Sequence, residues 1–169
     1  AALAMGPVSA QAPAPPAPPP FATTKLTDNV YIFRYGGHQS MFIVTPEGVI
    51  ATDPISLKRP AAAAYIAEIR KITQAPIKYV IYSHHHYDHI AGGKPFKDAG
   101  ARIVAHKRAT ERLKVLKDPA TLVPDESVGD KKVIKLGGTT LELHFTGRNH
   151  SDSSLVMFLP KEKIIFAVD

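Results

Sequence analysis

Cysteine is absent from all 169 residues. Disulfide scaffolds, thiolate nucleophiles and cysteine-ligated zinc are excluded, although this absence says little about redox compartment. Long apolar runs are absent too. None reaches the roughly 18 residues a membrane span requires, so no spanning segment is expected. Nor is charge concentrated anywhere. The 21 Lys and Arg outnumber the 15 Asp and Glu, for a net +6, but they form no basic block. The excess therefore reads as a solvated surface, and no nucleic-acid partner is expected. Internal repeats are also missing, and the length suits one domain. Hydrophobic residues make up 44 %, enough for a core, although many are alanines that bury little area each.

The chain starts with AALAMGPVSAQAPAPPAPPP, which is small, apolar and proline-rich. Val8-Ser9-Ala10 and Ala10-Gln11-Ala12 both fit the small-x-small pattern of signal-peptide cleavage. Pro13 is a poor residue immediately after a cut, so cleavage after Ala10 is favoured. Residues 1–20 are expected to be a signal-peptide remnant followed by a proline-rich tether, extended over residues 13–20. This implies a periplasmic or secreted protein, with folded material over 21–169.

Within that region NVYIFRY, SMFIVT and GVIATD read as strands, the last two joined through Pro46-Glu47-Gly48. The spacing of Ala62, Tyr65, Ile66, Ile69 and Ile72 predicts a helix, with Ser56 as a cap, Pro60 in the first turn and Pro76 ending it. IKYVIYS is apolar and β-branched, which predicts a strand buried on both faces. ARIVAH repeats that pattern and KRATERLKVLK looks helical. KKVIKL and TTLELHF, joined by Gly137-Gly138, predict a hairpin, and SSLVMFLP and KIIFAVD follow as further strands. The order of elements reads as α/β, a mixed sheet covered by helices.

The chemistry concentrates in SHHHYDHIAGG, residues 83–93, which holds four of the eight histidines. An apolar strand runs into it and a helix opening follows, so the cluster sits at the carboxyl end of a strand, where open α/β sheets place ligand sites. In extended backbone His84 and His86 share one side and His85 points away, so the pair can grip one cation. Asp88 and His89, at the turn into the helix, can serve a second. His144 is expected to face solvent opposite Leu141, Leu143 and Phe145, and His106 to be structural where a strand passes into a helix. His38, in YGGHQSMF, can rim the site or be an ordinary loop residue. Tyr87 can line the pocket or pack behind it.

His84-x-His86-x-Asp88-His89 in the context VIYSHHHYDHIAGG resembles the signature of the metallo-β-lactamase fold superfamily. FTGRNHSDSSLVMFLP resembles the segment carrying the family's third metal-1 histidine, here His150. KIIFAVD resembles the strand ending in the residue that bridges both metals, here Asp169. The resemblance implies an αββα sandwich of which this chain carries the N-terminal part. It implies His84, His86 and His150 on one cation, and Asp88, His89 and bridging Asp169 on another. Zinc is the expected metal, with iron or manganese also compatible with nitrogen and carboxylate ligands. The implied chemistry is attack by a hydroxide shared between two cations about 3.5–4 Å apart. Asp88 would hold that nucleophile in its catalytic role.

Asp169 stands where many β-lactamases of the family carry cysteine, and His89 follows Asp88 directly. Both features resemble the histidine-rich branch of lactonases, glyoxalase II-like thioesterases and a minority of β-lactamases. Opening of a lactone, β-lactam or related activated acyl bond of a small molecule is the first expectation. Thioester hydrolysis or phosphodiester cleavage follows. The reading from a different class is an iron-loaded redox or non-catalytic member. Because the last metal-2 histidine of the family has no match here, the chain is also expected to lack the second half of the sandwich. The first sheet would then expose an apolar face, to be covered by that half or by another chain.

Overall fold

The computed structural model describes residues 20–56 and 61–169. The expected cleavage site, Pro60 and all but the last residue of the tether lie outside them. Four strands come first, β1 (Phe21–Lys25), β2 (Val30–Tyr35), β3 (His38–Thr45) and β4 (Gly48–Thr52), each antiparallel to the one before. Helix α1 (Ala61–Ile72) leads to β5 (Ile77–Ile81), and the short helices α2 (Tyr87–Ile90) and α3 (Gly93–Asp98) lead to β6 (Arg102–His106). Helix α4 (Lys107–Leu116) then precedes β7 (Glu126–Val128). From β4 to β7 the pairing is parallel, so the first sheet has seven strands in the order β1-β2-β3-β4-β5-β6-β7. The strands β8 (Lys131–Leu136), β9 (Thr139–Phe145), β10 (Leu155–Leu159) and β11 (Ile164–Phe166) form a second, antiparallel sheet.

Two apolar layers hold these parts together. Phe33, Phe42, Ala51 and Val80 face the helices, where they meet Tyr65 and Ile69 of α1, Phe96 of α3 and Leu113 of α4. The Tyr65 ring stacks on Phe33 at 4.5 Å, and its hydroxyl donates to the Met41 carbonyl at 2.9 Å. The alternate residues Met41, Ile43, Ile50, Ile81 and Val104 point the other way, onto Leu141, Leu143, Leu155 and Met157 of the second sheet. Period-two alternation thus feeds both layers from the same strands. This overturns the expected exposed apolar face. Met41, Ile43, Ile50, Ile81 and Val104 are all 0 % exposed, because β8–β11 already cover them. Among the described residues no helix covers the outer side of the second sheet, where Ile165 is 70 % exposed.

The β8–β9 hairpin forms as expected, with Leu136 paired to Thr139 and Gly137 and Gly138 at φ 51° and 82°. Those values need a residue that tolerates positive φ at both positions. Strand β5 is buried on both faces only toward its carboxyl end. Lys78 is exposed and Tyr79 half-buried, while Val80 and Ile81 are fully enclosed. The edge strands β1 and β7 were not foreseen. FATTK carries little apolar alternation, and β7 has only three residues.

Candidate metal centre

The strands position the site by where they end. Beyond β5, Tyr82 N–H still donates to the Val104 carbonyl, and Leu155 N–H of the second sheet donates to the Ser83 carbonyl at 2.7 Å. The histidine loop is therefore tied to both sheets before it leaves the strand. His150 comes from the loop between β9 and β10, and Asp169 from the residues after β11. Asp53 follows β4, the immediate parallel neighbour of β5.

One group comprises His84, His86 and His150, whose potential ligand atoms lie within 4.8 Å of one another. Their rings meet edge-on, with centroids 4.6 Å apart for His84 and His86 and 5.1 Å for His84 and His150. His150 Nε2 is 2.9 Å from His86 Nδ1. His84 Nδ1 pairs with Ser83 Oγ at 2.9 Å, while its Nε2 is buried with no hydrogen-bond partner. An orphaned buried nitrogen facing other imidazoles fits a cation ligand. Burial, then the neighbouring His89, holds His84 down to about 4. Burial and His150 likewise lower His86. Both rings are thus neutral near pH 7, the form in which imidazole binds a metal.

Asp169 lies between this group and the next. Its Oδ2 is 3.7 Å from His84 Nε2 and 2.8 Å from His89 Nε2. Asp88 Oδ2 approaches His89 Nε2 at 3.5 Å and His38 Nε2 at 2.9 Å. His38, Asp88 and His89 form a second compact donor group. Of the two sequence-level readings of His38, the structure supports a residue that reaches the site. Burial raises the Asp88 carboxyl, but the His38 hydrogen bond and the His89 ring outweigh it, leaving the group below its ordinary value.

Asp53 was missed. It is wholly buried, and its carboxylate accepts from Ser83 N–H at 2.6 Å and Ser83 Oγ–H at 2.6 Å. The same Oδ2 receives His89 Nδ1 at 3.1 Å. One carboxylate therefore orients His89 directly and His84 through Ser83. Burial works against a charged His89, but Asp53 and the other carboxylates outweigh it and raise its pKa. A polar residue at the carboxyl end of the apolar run GVIAT was the available signal.

His85 points away from the ligand nitrogens, as alternation predicts, yet it is not idle. Its Nδ1 pairs with Ser153 Oγ at 2.9 Å and Ser151 Oγ at 3.1 Å, beside Arg112, which forms a bidentate bridge to Asp152. His106 has the structural place expected of it. It caps α4 by accepting from Arg108 N–H at 3.4 Å and stacks on Phe145 at 4.2 Å. His144 is partly exposed beside Glu142, at 2.8 Å, and Tyr87 is 46 % exposed.

A profile described as the metallo-beta-lactamase superfamily matches residues 34–169. The chain belongs to that superfamily. A curated relative, the metallo-beta-lactamase IND-1 of Chryseobacterium indologenes, is 24 % identical over 163 residues, covering 86 % of this chain and 66 % of its own length. The 2,4-dinitroanisole O-demethylase subunit alpha of a Nocardioides strain is 23 % identical, with 89 % of this chain and 46 % of its own length covered. A metallo-beta-lactamase structure from Pontibacter korlensis superposes with a TM-score of 0.76 at 22 % identity, covering 87 % of this chain and 70 % of that one. The chain thus spans about half to two thirds of the length of these curated relatives. The shared sandwich agrees with the fold expected of the superfamily. Its histidine-rich donor groups suit the metal dependence expected of it.

Proposed function

We propose that the protein is a metal-dependent hydrolase that opens a lactone, β-lactam or related activated acyl bond at a two-cation zinc centre. The observation that carries this reading is the place of the Asp169 carboxylate, between buried His84 of one donor group and His89 of the other. His84, His86 and His150 would hold the first cation, and Asp88 and His89 the second, with Asp169 shared. Such cations supply Lewis acidity and a nucleophile available near neutral pH.

The chain's own residues supply the rest. Asp53 orients His89 through Nδ1, keeping that proton on the carboxylate side, so that Nε2 faces Asp169 and would be the nitrogen offered to a cation. Asp88, the catalytic carboxylate of this reading, accepts a proton or holds a water by hydrogen bond. A cleft of about 340 Å³ opens over His89 and Asp169 and is walled by Arg34, Gly37 and Gln39. Gln39 Oε1 holds Arg34 Nη2 at 3.0 Å, leaving other guanidinium hydrogens for an anionic group on the substrate. A small acyl substrate bearing a carboxylate fits this wall.

The test is metal analysis of the purified protein with an assay panel of a lactone, a β-lactam, a thioester, a phosphodiester and an aryl methyl ether. Two zinc per chain with lactone or β-lactam turnover abolished by chelation supports the reading. Activity confined to another substrate class, or indifferent to chelation, refutes it.

A further inference from the structure

We infer that His38 is a protein ligand of the second cation, supplying Nε2 from the β2–β3 hairpin alongside Asp88 and His89. This rests on the two-cation reading above and adds a donor that the motif His84-x-His86-x-Asp88-His89 does not contain. The hairpin aims the side chain. Tyr35 pairs with His38 across the two-residue turn Gly36-Gly37, and Gly36 has φ 58°. Two residues on, Ser40 is fully buried on the same face, and its hydroxyl donates to the Asp53 carbonyl at 2.5 Å. Alternation along β3 therefore directs His38 toward the pocket that holds Asp53 and His89.

The donors converge. His38 Nε2 lies 2.9 Å from Asp88 Oδ2, and its ring centroid 5.4 Å from that of His89 at 63°. Ligand atoms of all three residues fall within 4.8 Å of one another. Two imidazole nitrogens and one carboxylate oxygen, drawn from a hairpin and a helix turn, make a donor set suited to zinc or iron. The competing role is weaker: His38 could serve only as a hydrogen-bond donor that positions Asp88. Glutamine separates the two roles, because its amide can donate to Asp88 but is a poor replacement for imidazole as a ligand.

The experiment counts metal in the purified protein and in His38→Gln and His38→Ala by elemental analysis after gel filtration. It also records the visible absorption of each protein loaded with cobalt(II). Retained circular dichroism verifies folding, and the partial exposure of His38 makes the glutamine variant the safer of the two. The expected result is two cations in the parent. In both variants the second should be held at least about tenfold more weakly, with an altered cobalt spectrum. Two tightly held cations and an unchanged spectrum in His38→Gln would overturn the ligand assignment alone. A parent protein that holds no second cation would overturn both this assignment and the two-cation reading.

Discussion

Replacing Asp53 should separate the stability of the centre from its metal affinity. In Asp53→Ala the Ser83 N–H and His89 Nδ1 lose a buried charged acceptor, and the Ser83 hydroxyl loses one of its two partners, keeping His84 Nδ1. Each buried donor left unpaired costs about 1–3 kcal/mol, so a loss of roughly 3–5 kcal/mol is expected. That is a large part of the ~5–15 kcal/mol holding a typical domain together. Asp53→Asn should behave differently. Its carbonyl can still accept from Ser83 while its amide faces His89, inviting the tautomer with the proton on Nε2. That nitrogen lies 2.8 Å from Asp169 and is the one needed for a cation. The asparagine variant should therefore keep most of its stability yet bind the second cation about 10- to 100-fold more weakly. Urea unfolding of metal-free protein and titration with zinc measure the two effects separately. If the alanine variant stays within about 0.5 kcal/mol of the parent, as surface substitutions do, the carboxylate is not holding the site.

Three further outcomes are expected. His86→Ala should abolish hydrolysis and strip the first cation, whereas His85→Ala should leave metal content intact and cost about 1 kcal/mol, since Ser151 and Ser153 still pair with each other at 3.0 Å; equal metal loss in both sinks the ligand assignment. Asp88→Asn should keep the first cation while turnover falls by about 100-fold or more, and preserved turnover removes Asp88 from the reaction. The metal-free protein should lose stability as pH falls from 6.5 toward 4, because the unfolded chain takes up protons that His84 and His85, both held down to about 4, refuse in the native state. The raised pKa of His89 acts oppositely, its contribution being present below 6.5 and lost as pH rises through the folded value. Lowered rings outnumber it, so the urea midpoint should drop between pH 7 and pH 4.5, and a midpoint that holds or rises contradicts the balance.

What was legible in the sequence was local. Alternation placed His84 and His86 on one side and His85 on the other, and Gly137-Gly138 announced its hairpin. Asp53 was not legible, because its partners Ser83 and His89 lie 30 and 36 residues away and meet it only through the parallel pairing of β4 with β5. The role of His38 is not legible in the sequence for the same reason, its contact with Asp88 spanning 50 residues. The expected bare face of the first sheet failed on another ground. KKVIKL, TTLELHF and SSLVMFLP carry strand patterns, but composition does not say whether such strands extend an existing sheet or stack on it. Leu141, Leu143 and Met157 stack, and so close the inner layer.

The centre itself runs against a general rule of folded proteins. Buried polar groups normally find partners, yet His84 Nε2 has none, and His86 Nδ1 faces another ring nitrogen in His150 at 2.9 Å. Three carboxylates, Asp53, Asp88 and Asp169, crowd the same few ångströms around His89. No apolar demand of the sandwich requires this, since both cores close without these residues. The arrangement is costly without a positive charge and favourable with one, so bound cations should stabilise the native state by mass action. Zinc added to metal-free protein should raise the unfolding midpoint progressively with concentration. His84→Ala should abolish most of that rise, because it removes the orphaned nitrogen nearest the shared carboxylate. A zinc-independent midpoint would mean that the clustered donors serve the fold instead.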